Sequence, residues 1–185
     1  MEPAPRFDLF TIGHSNHSIE RFTRLLRDAE ITAIVDVRSQ PFSRFHPWFS
    51  ARRLHGELER IGIAYLPMGD ALGGRPRDPA LFRDGIADYQ AMAKTAAFRA
   101  GIDRVVEATK GFRLCLMCAE REPVDCHRCL LVAPELAARG LRIGHILPDG
   151  SIVAHEAIEQ RLLADAADGG AYRRRARAVA FGRRT

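Results

Sequence analysis

Hydrophobic positions along this chain follow two alternating rhythms. "RFDLFTIG" is an apolar run closed by Gly13, with the length and ending of a strand. Ser18 then precedes "IERFTRLLRDAE", whose Ile19, Phe22, Leu25 and Leu26 fall at helical spacing behind a capping serine. "ITAIVDV" is a continuous, mostly β-branched run, the pattern of a strand covered on both faces. "SARRLHGELERIG" predicts a helix, "IAYLPM" a third strand and "ALGGRPRDP" a glycine turn. "ALFRDGIADYQAMAKTAAFRAGIDRVVEATK" predicts mostly helix, broken near Gly101. "GFRLCLMC" predicts a fourth strand and "CHRCLLVAPELAARG" a helix, in which Pro134 would force a kink or cost about 3 kcal/mol. "LRIGHIL" predicts a fifth strand, and "PDGSIVAHEAIEQRLLADA" a turn and a closing helix.

Strands alternating with helices predict an α/β fold of three layers: a mainly parallel sheet of about five strands, flanked by helices, in a single domain over residues 1–168. Open sheets of this kind bind ligands outside the carboxyl ends of their strands. The polar residues gather at those ends. "GHSNHS" follows the first strand, "DVRSQPFSRFHP" the second, "GDALGGR" the third and "CAEREPVDCHR" the fourth, while His145 and His155 bracket the end of the fifth.

Composition changes this picture in two places. All four cysteines lie between Cys115 and Cys129, a local site and not the framework of a secreted disulfide protein. No apolar run reaches the roughly 18 residues of a membrane span, and "MEPAPRFDLFTIG" lacks a signal-peptide layout, so a cytoplasmic protein without membrane contact is expected. The formal charge of +5 comes from the end of the chain: "AYRRRARAVAFGRRT" holds six arginines and no acid. Residues 1–170 hold 22 basic and 23 acidic side chains, so the body is neutral and residues 169–185 form a cationic tail. Such a tail attracts nucleic-acid phosphates without reading sequence, or serves only solubility.

The segment "CAEREPVDCHR", residues 118–128, carries the chemistry. Its extended spacing, C-x2-C-x7-C-x2-C from Cys115 to Cys129, suggests four-thiolate zinc. Cys115 lies inside a strand, however, where positions three apart point to opposite faces, and "CLMC" has no turn former; Cys115 reads as core. A second chemistry is dithiol redox exchange between Cys126 and Cys129, with Asp125 capping the helix and favouring a Cys126 thiolate. A third is a catalytic centre in which Cys118 or Cys126 is the thiolate, Glu120 and His127 move protons, and Arg128 and Arg38 hold an anion. The plain structural alternative is that Glu120 and Arg128 pair to fix the loop. Beyond this segment, Asp36 and Arg38 either bind substrate or pair with each other, and His14 is a site candidate behind Gly13. "FHPWF" offers either stacking rings or a hydrophobic plug, and His17 and His55 read as surface residues.

"TIGHSNHSIERFTRLL", "VDVRSQPFSRF", "LGGRP", "MCAEREPVDCHR" and then "HIL" with a later histidine resemble the domain of unknown function 488 family, in order, from Leu9 to His155. The family pattern falls on Cys118, Glu120, Pro123, Cys126, His127 and Arg128, and on Gly13, His14, Ser15, Asp36, Arg38, Pro41, Ser43, Gly73 and Gly74. Cys115, Cys129 and the tail fall outside it. The resemblance implies a shared pocket and no particular reaction.

The expectation is therefore an enzyme with catalytic residues Cys118, Glu120, Cys126, His127 and Arg128. Its substrate would bear a phosphate or nucleobase, nucleic acid included, and would be held by Gly13, His14, Ser15, Asp36, Arg38, Ser43, Gly73, Gly74 and Arg75. No cofactor is required. The alternative is a non-catalytic nucleic-acid-binding domain whose cysteine segment is structural, with a metal ion held by Cys118, Cys126 and His145.

Overall fold

The computed structural model describes residues 6–164. Strand β1 (Leu9–Gly13) leads into helix α1 (Ile19–Asp28), whose cap Ser18 accepts from the Arg21 amide at 3.2 Å. Strand β2 (Ala33–Asp36), helix α2 (Ala51–Arg60), strand β3 (Ala64–Pro67) and the short helix α3 (Gly69–Leu72) follow. Then come strands β4 (Phe82–Arg83) and β5 (Ile86–Ala87), and helices α4 (Tyr89–Ala93) and α5 (Ala96–Ala108). Strand β6 (Leu114–Cys118), helix α6 (Ala133–Ala137), strands β7 (Ile143–Ile146) and β8 (Ile152–Ala154), and helix α7 (His155–Ala164) complete the described chain.

The main sheet runs β3-β2-β6-β1-β7-β8 and is parallel except for β8, which returns antiparallel on β7. Side-chain parity divides its core. Leu114, Leu116 and Cys118 of β6 pack with Phe98, Ile102 and Leu136 on one face. Cys115 and Met117 pack with Phe22, Leu26 and Leu54 on the other. The α/β three-layer architecture is thus as expected, and Cys115 is core. Because β6 inserts between β1 and β2, the ends of these three central strands meet: Gly13 is in register with Cys118, and Asp36 with Met117.

Four local details refine the expectation. The main sheet has six strands where about five were expected; the sixth, β8, occupies the apolar lead-in to the closing helix, where three residues are too few to show a period. The segment from Ala80 to Lys110 is mostly helical, but residues 82–87 are not: the Asp84–Gly85 pair, both at positive φ (53° and 74°), turns a β4–β5 hairpin, as an Asp-Gly dipeptide favours. The helix break falls at Thr95, which caps α5, and α5 runs through Gly101, where a Cβ would stand 2.9 Å from the Leu72 side chain. Pro134 does not interrupt a continuous α-helix: a π-helical turn over Arg128–Val132 precedes it, and the proline enters the first turn of α6, where no amide donor is needed.

Candidate functional site

The site begins with backbone. Beyond the strand ends β1 and β6 stay paired, His14 N donating to Cys118 O (2.8 Å) and Ser15 N to Ala119 O (3.0 Å). The loop after β6 then crosses β1 so closely that a Cβ on Gly13 would stand 1.9 Å from the Glu120 carbonyl oxygen. Only glycine admits that crossing. Gly13 thus shapes the site without presenting a group to a ligand.

Arg128 locks the crossing in place. Its guanidinium is wholly buried and donates to the Glu120 carbonyl (2.8 Å), the Arg121 carbonyl (3.2 Å) and Thr11 Oγ1 (3.3 Å). Arg128 therefore holds the loop, these donors meeting backbone carbonyls and a hydroxyl of the fold. It binds the backbone of Glu120 and leaves the carboxyl free.

That carboxyl enters a cluster. Glu120 Oε2 accepts from Cys118 Sγ at 2.8 Å and lies 3.1 Å from Cys126 Sγ. His127 Nδ1 lies 3.6 Å from Cys118 Sγ and 3.8 Å from Cys126 Sγ, while its Nε2 stands 2.9 Å from the Val37 carbonyl. A carbonyl only accepts, so Nε2 carries a proton and Nδ1 faces the sulfurs. Both thiols are buried. Burial and then the Cys126 sulfur push Cys118 well above the ordinary thiol value. Burial opposes ionisation of Cys126 too, yet the Cys118 hydrogen bond and the charges of Arg128 and His127 hold it well below. Glu120 is raised by burial and by Cys126; for His127 burial opposes the charged form, but Cys126, Glu120 and the Val37 carbonyl together outweigh it and raise the imidazole. The two thiols are therefore unequal, ionisation being disfavoured at Cys118 and favoured at Cys126. The Cys126 sulfur stands at the start of a helical turn, accepting from Arg128 N at 3.5 Å while the Cys126 carbonyl accepts from Leu130 N at 3.0 Å, and Asp125 lies just before it in a 3-10 turn (Pro123–Asp125).

A second group adjoins the first. Asp36 and Arg38 form a buried bidentate pair, Nε to Oδ1 at 2.8 Å and Nη2 to Oδ2 at 2.6 Å, and Tyr65 Oη donates to Oδ2 at 2.6 Å. Arg38 Nη1 also donates to the Phe49 carbonyl (2.7 Å) and meets His14 Nε2 at 3.2 Å. Nε, Nη1 and Nη2 of Arg38 all bond within the fold. Phe49 stacks on His14 (ring centroids 4.3 Å), so the plug is the reading realised in "FHPWF" for this ring. Burial and Arg38 together lower His14 to about 4, keeping it neutral.

Of the remaining substrate-binding candidates, Ser15 turns the chain at φ 48°, and Ser43 braces its loop by accepting from His46 N at 3.1 Å. Gly74 lies against His127, whereas Gly73 and the exposed Arg75 line a cleft of about 360 Å³ with Ser39, Arg77 and Phe98. The Gly73–Gly74 turn therefore has the cleft on one side and the His127 imidazole on the other. His17 is half-buried rather than a surface residue, and His55 is exposed, stacked on Tyr65.

His145 does not join Cys118 and Cys126. It lies in a separate cluster with Cys129 and His155: Thr11 Oγ1 meets His145 Nδ1 (2.7 Å), and His145 Nε2 meets His155 Nδ1 (3.0 Å). Cys129 Sγ is 3.9 Å from His155 Nδ1. The Cys126–Cys129 redox pair is thus divided, its sulfurs entering different clusters, and the metal set with His145 is replaced by one with His127. Sequence reasoning missed Thr11, Tyr89 and the Val37 carbonyl. Thr11 had one signal, a hydroxyl inside an apolar strand. Tyr89, whose ionisation is suppressed by burial and then by Cys126, Cys118 and Glu120, had none.

These features define a parallel α/β domain with a cysteine, carboxylate and imidazole cluster where its central strands end. The chain belongs to the DUF488 family, described as a domain of unknown function, whose model matches residues 18–133. That span includes Asp36, Arg38 and the whole cluster, and excludes Gly13, His14, Ser15 and His145. No curated protein and no solved structure matches the chain. No helix among the described residues is long and apolar enough to cross a membrane.

Proposed function

We propose that this protein is a cytoplasmic enzyme acting on a phosphate-bearing or nucleobase-containing substrate, nucleic acid included, with Glu120 moving the proton at the cysteine–histidine cluster. One observation carries the reading. Arg128 secures the loop through the carbonyls of Glu120 and Arg121, so the Glu120 carboxyl is not spent on holding it and bridges two sulfurs instead. A carboxyl so placed is fit for general acid–base work. The cleft beyond the Gly73–Gly74 turn, with Arg75 at its edge, is where an anionic substrate would lie. Four free, buried thiols suit a reducing compartment.

A binding module without chemistry is the second reading. Phe42 and Phe45 are 74% and 83% exposed on either side of Arg44, an arrangement on which unpaired bases stack.

A thermal-shift and turnover screen of nucleosides, nucleotides and short DNA and RNA strands separates the two. The enzymatic reading expects at least one class to bind and be converted, with Glu120→Gln retaining binding and losing about 10²–10⁴-fold in rate. Binding of oligonucleotides without conversion, unchanged in Glu120→Gln and lost when Phe42 and Phe45 are replaced by alanine, would establish the module instead.

A further inference from the structure

We propose that Cys118, Cys126 and His127 hold a zinc ion, with the Glu120 carboxyl beside its fourth coordination position. The catalytic use of that ion rests on the enzymatic reading above; its binding does not.

Donor geometry comes first. The two sulfurs, His127 Nδ1 and a Glu120 oxygen all lie within 4.8 Å of one another. With Zn–S near 2.3 Å and Zn–N near 2.0–2.1 Å, tetrahedral sulfur–nitrogen edges are about 3.6 Å. The structure has 3.6 and 3.8 Å. The sulfur–oxygen separations of 2.8 and 3.1 Å are shorter than the corresponding edge of about 3.5 Å and are hydrogen-bond lengths. With the thiols protonated, Glu120 is therefore hydrogen-bonded to them and not at a ligand corner; zinc would remove those protons and leave the carboxylate beside the fourth position.

Orientation is the second observation. Metal-bound histidines usually donate their other ring N–H to a carbonyl or carboxylate, which fixes the ring. His127 does this through Nε2 and the Val37 carbonyl, with Gly74 packed against the ring. Charge is the third. Two thiolates and a carboxylate bring three negative charges into a buried place, where the side chain of Arg128 supplies one positive charge and a divalent ion would supply the other two. Two thiolates and an imidazole are the soft donors that suit zinc.

The Cys129–His145–His155 cluster makes the contrasting case. There the histidines bond to each other at 3.0 Å through the nitrogens that would have to face an ion.

Zinc would displace one thiol proton from each cysteine not already ionised and lower the pKa of a water at the fourth position. Glu120 would take that water's proton, the resulting hydroxide would add to an electrophilic carbon or phosphorus, and Glu120 would return the proton to the departing group as its bond breaks.

The full chain, purified reduced from zinc-supplemented medium, is measured by elemental analysis and native mass spectrometry, and its cobalt-substituted form by absorption. One zinc per chain is expected, with sulfur-to-cobalt charge-transfer bands and tetrahedral d–d bands. Cys118→Ser, Cys126→Ser and His127→Asn should lose the ion, while Glu120→Gln, Cys129→Ser and His145→Gln should keep it. Circular dichroism identifies any variant that fails to fold, and cobalt spectra of the folded single variants then decide. Wild-type protein that neither retains zinc nor takes it up on titration overturns the proposal. So does loss of the ion in Cys129→Ser or Glu120→Gln with retention in Cys118→Ser. Zinc bound without turnover of any substrate refutes the enzymatic reading alone; turnover by metal-free protein refutes the catalytic use of the ion alone.

Discussion

Gly74 lies flat against the imidazole of His127: a Cβ at Gly74 would stand 2.7 Å from His127 Cγ and 3.0 Å from its Nδ1. The glycine turn of one segment thereby sets the ring position of another. Gly74→Ala should displace the imidazole, cost about 1–3 kcal/mol by overpacking, and weaken cobalt binding in a protein that still folds. Gly56 is the control. It is exposed in α2 with open space at its Cβ, so Gly56→Ala should stabilise by about 1 kcal/mol. Urea unfolding and cobalt titration of both variants check this.

The Asp36–Arg38 pair should behave as structure. Asp36→Asn leaves a buried guanidinium without its counter-charge and should cost about 3–5 kcal/mol in urea unfolding. Any ligand found for the cleft should still bind the folded fraction of that variant with unchanged affinity. A selective loss of affinity at unchanged stability would return Arg38 to the substrate.

Stability should fall in mild acid. His145 is held well below 6.5 by burial, then by the charges of His155 and Arg128; burial also lowers His155, against the pull of Glu159 and Glu156. The folded protein keeps these rings neutral while the unfolded chain protonates them. The unfolded state then binds more protons, so stability is full above about pH 6.5 and declines below it by up to about 1.4 kcal/mol per pH unit for each ring. The decline ends only below the folded-state values. Urea midpoints between pH 7.5 and 5 should show it, and His145→Gln, though less stable at pH 7.5, should show a shallower slope. An unaltered slope would place the acid sensitivity elsewhere.

The arginine-rich tail lies outside the described residues, and its expectation stands on sequence. If its six arginines contact phosphates, truncation after Gly170 should weaken nucleic-acid binding and flatten the salt dependence by up to roughly six units of log–log slope. Melting of the truncated chain should be unchanged, because every described strand precedes the cut. An unchanged slope would reduce the tail to a solubility device.

Local pattern was enough to read the parallel sheet, the gathering of polar loops at its strand ends and the burial of Cys115, because strand parity and helix period act between residues a few positions apart. It also singled out Cys118, Glu120, Cys126 and His127. The Asp-Gly hairpin signal at Asp84–Gly85 was present and was outweighed by the apolar residues around it. What only the tertiary structure decided is which atom meets which. Val37 orients His127 from 90 residues away, and Thr11 ties Arg128 to His145 across separate strands. Neighbouring cysteines in the sequence part company because Cys126 is extended and Cys129 lies in the helical turn, which aims their sulfurs into different clusters. The charges of Arg38 and Arg128 suggested ligand binding, and burial added partners that the sequence does not show: a guanidinium removed from water must satisfy its donors nearby, and here carbonyls and a carboxylate of the fold do so.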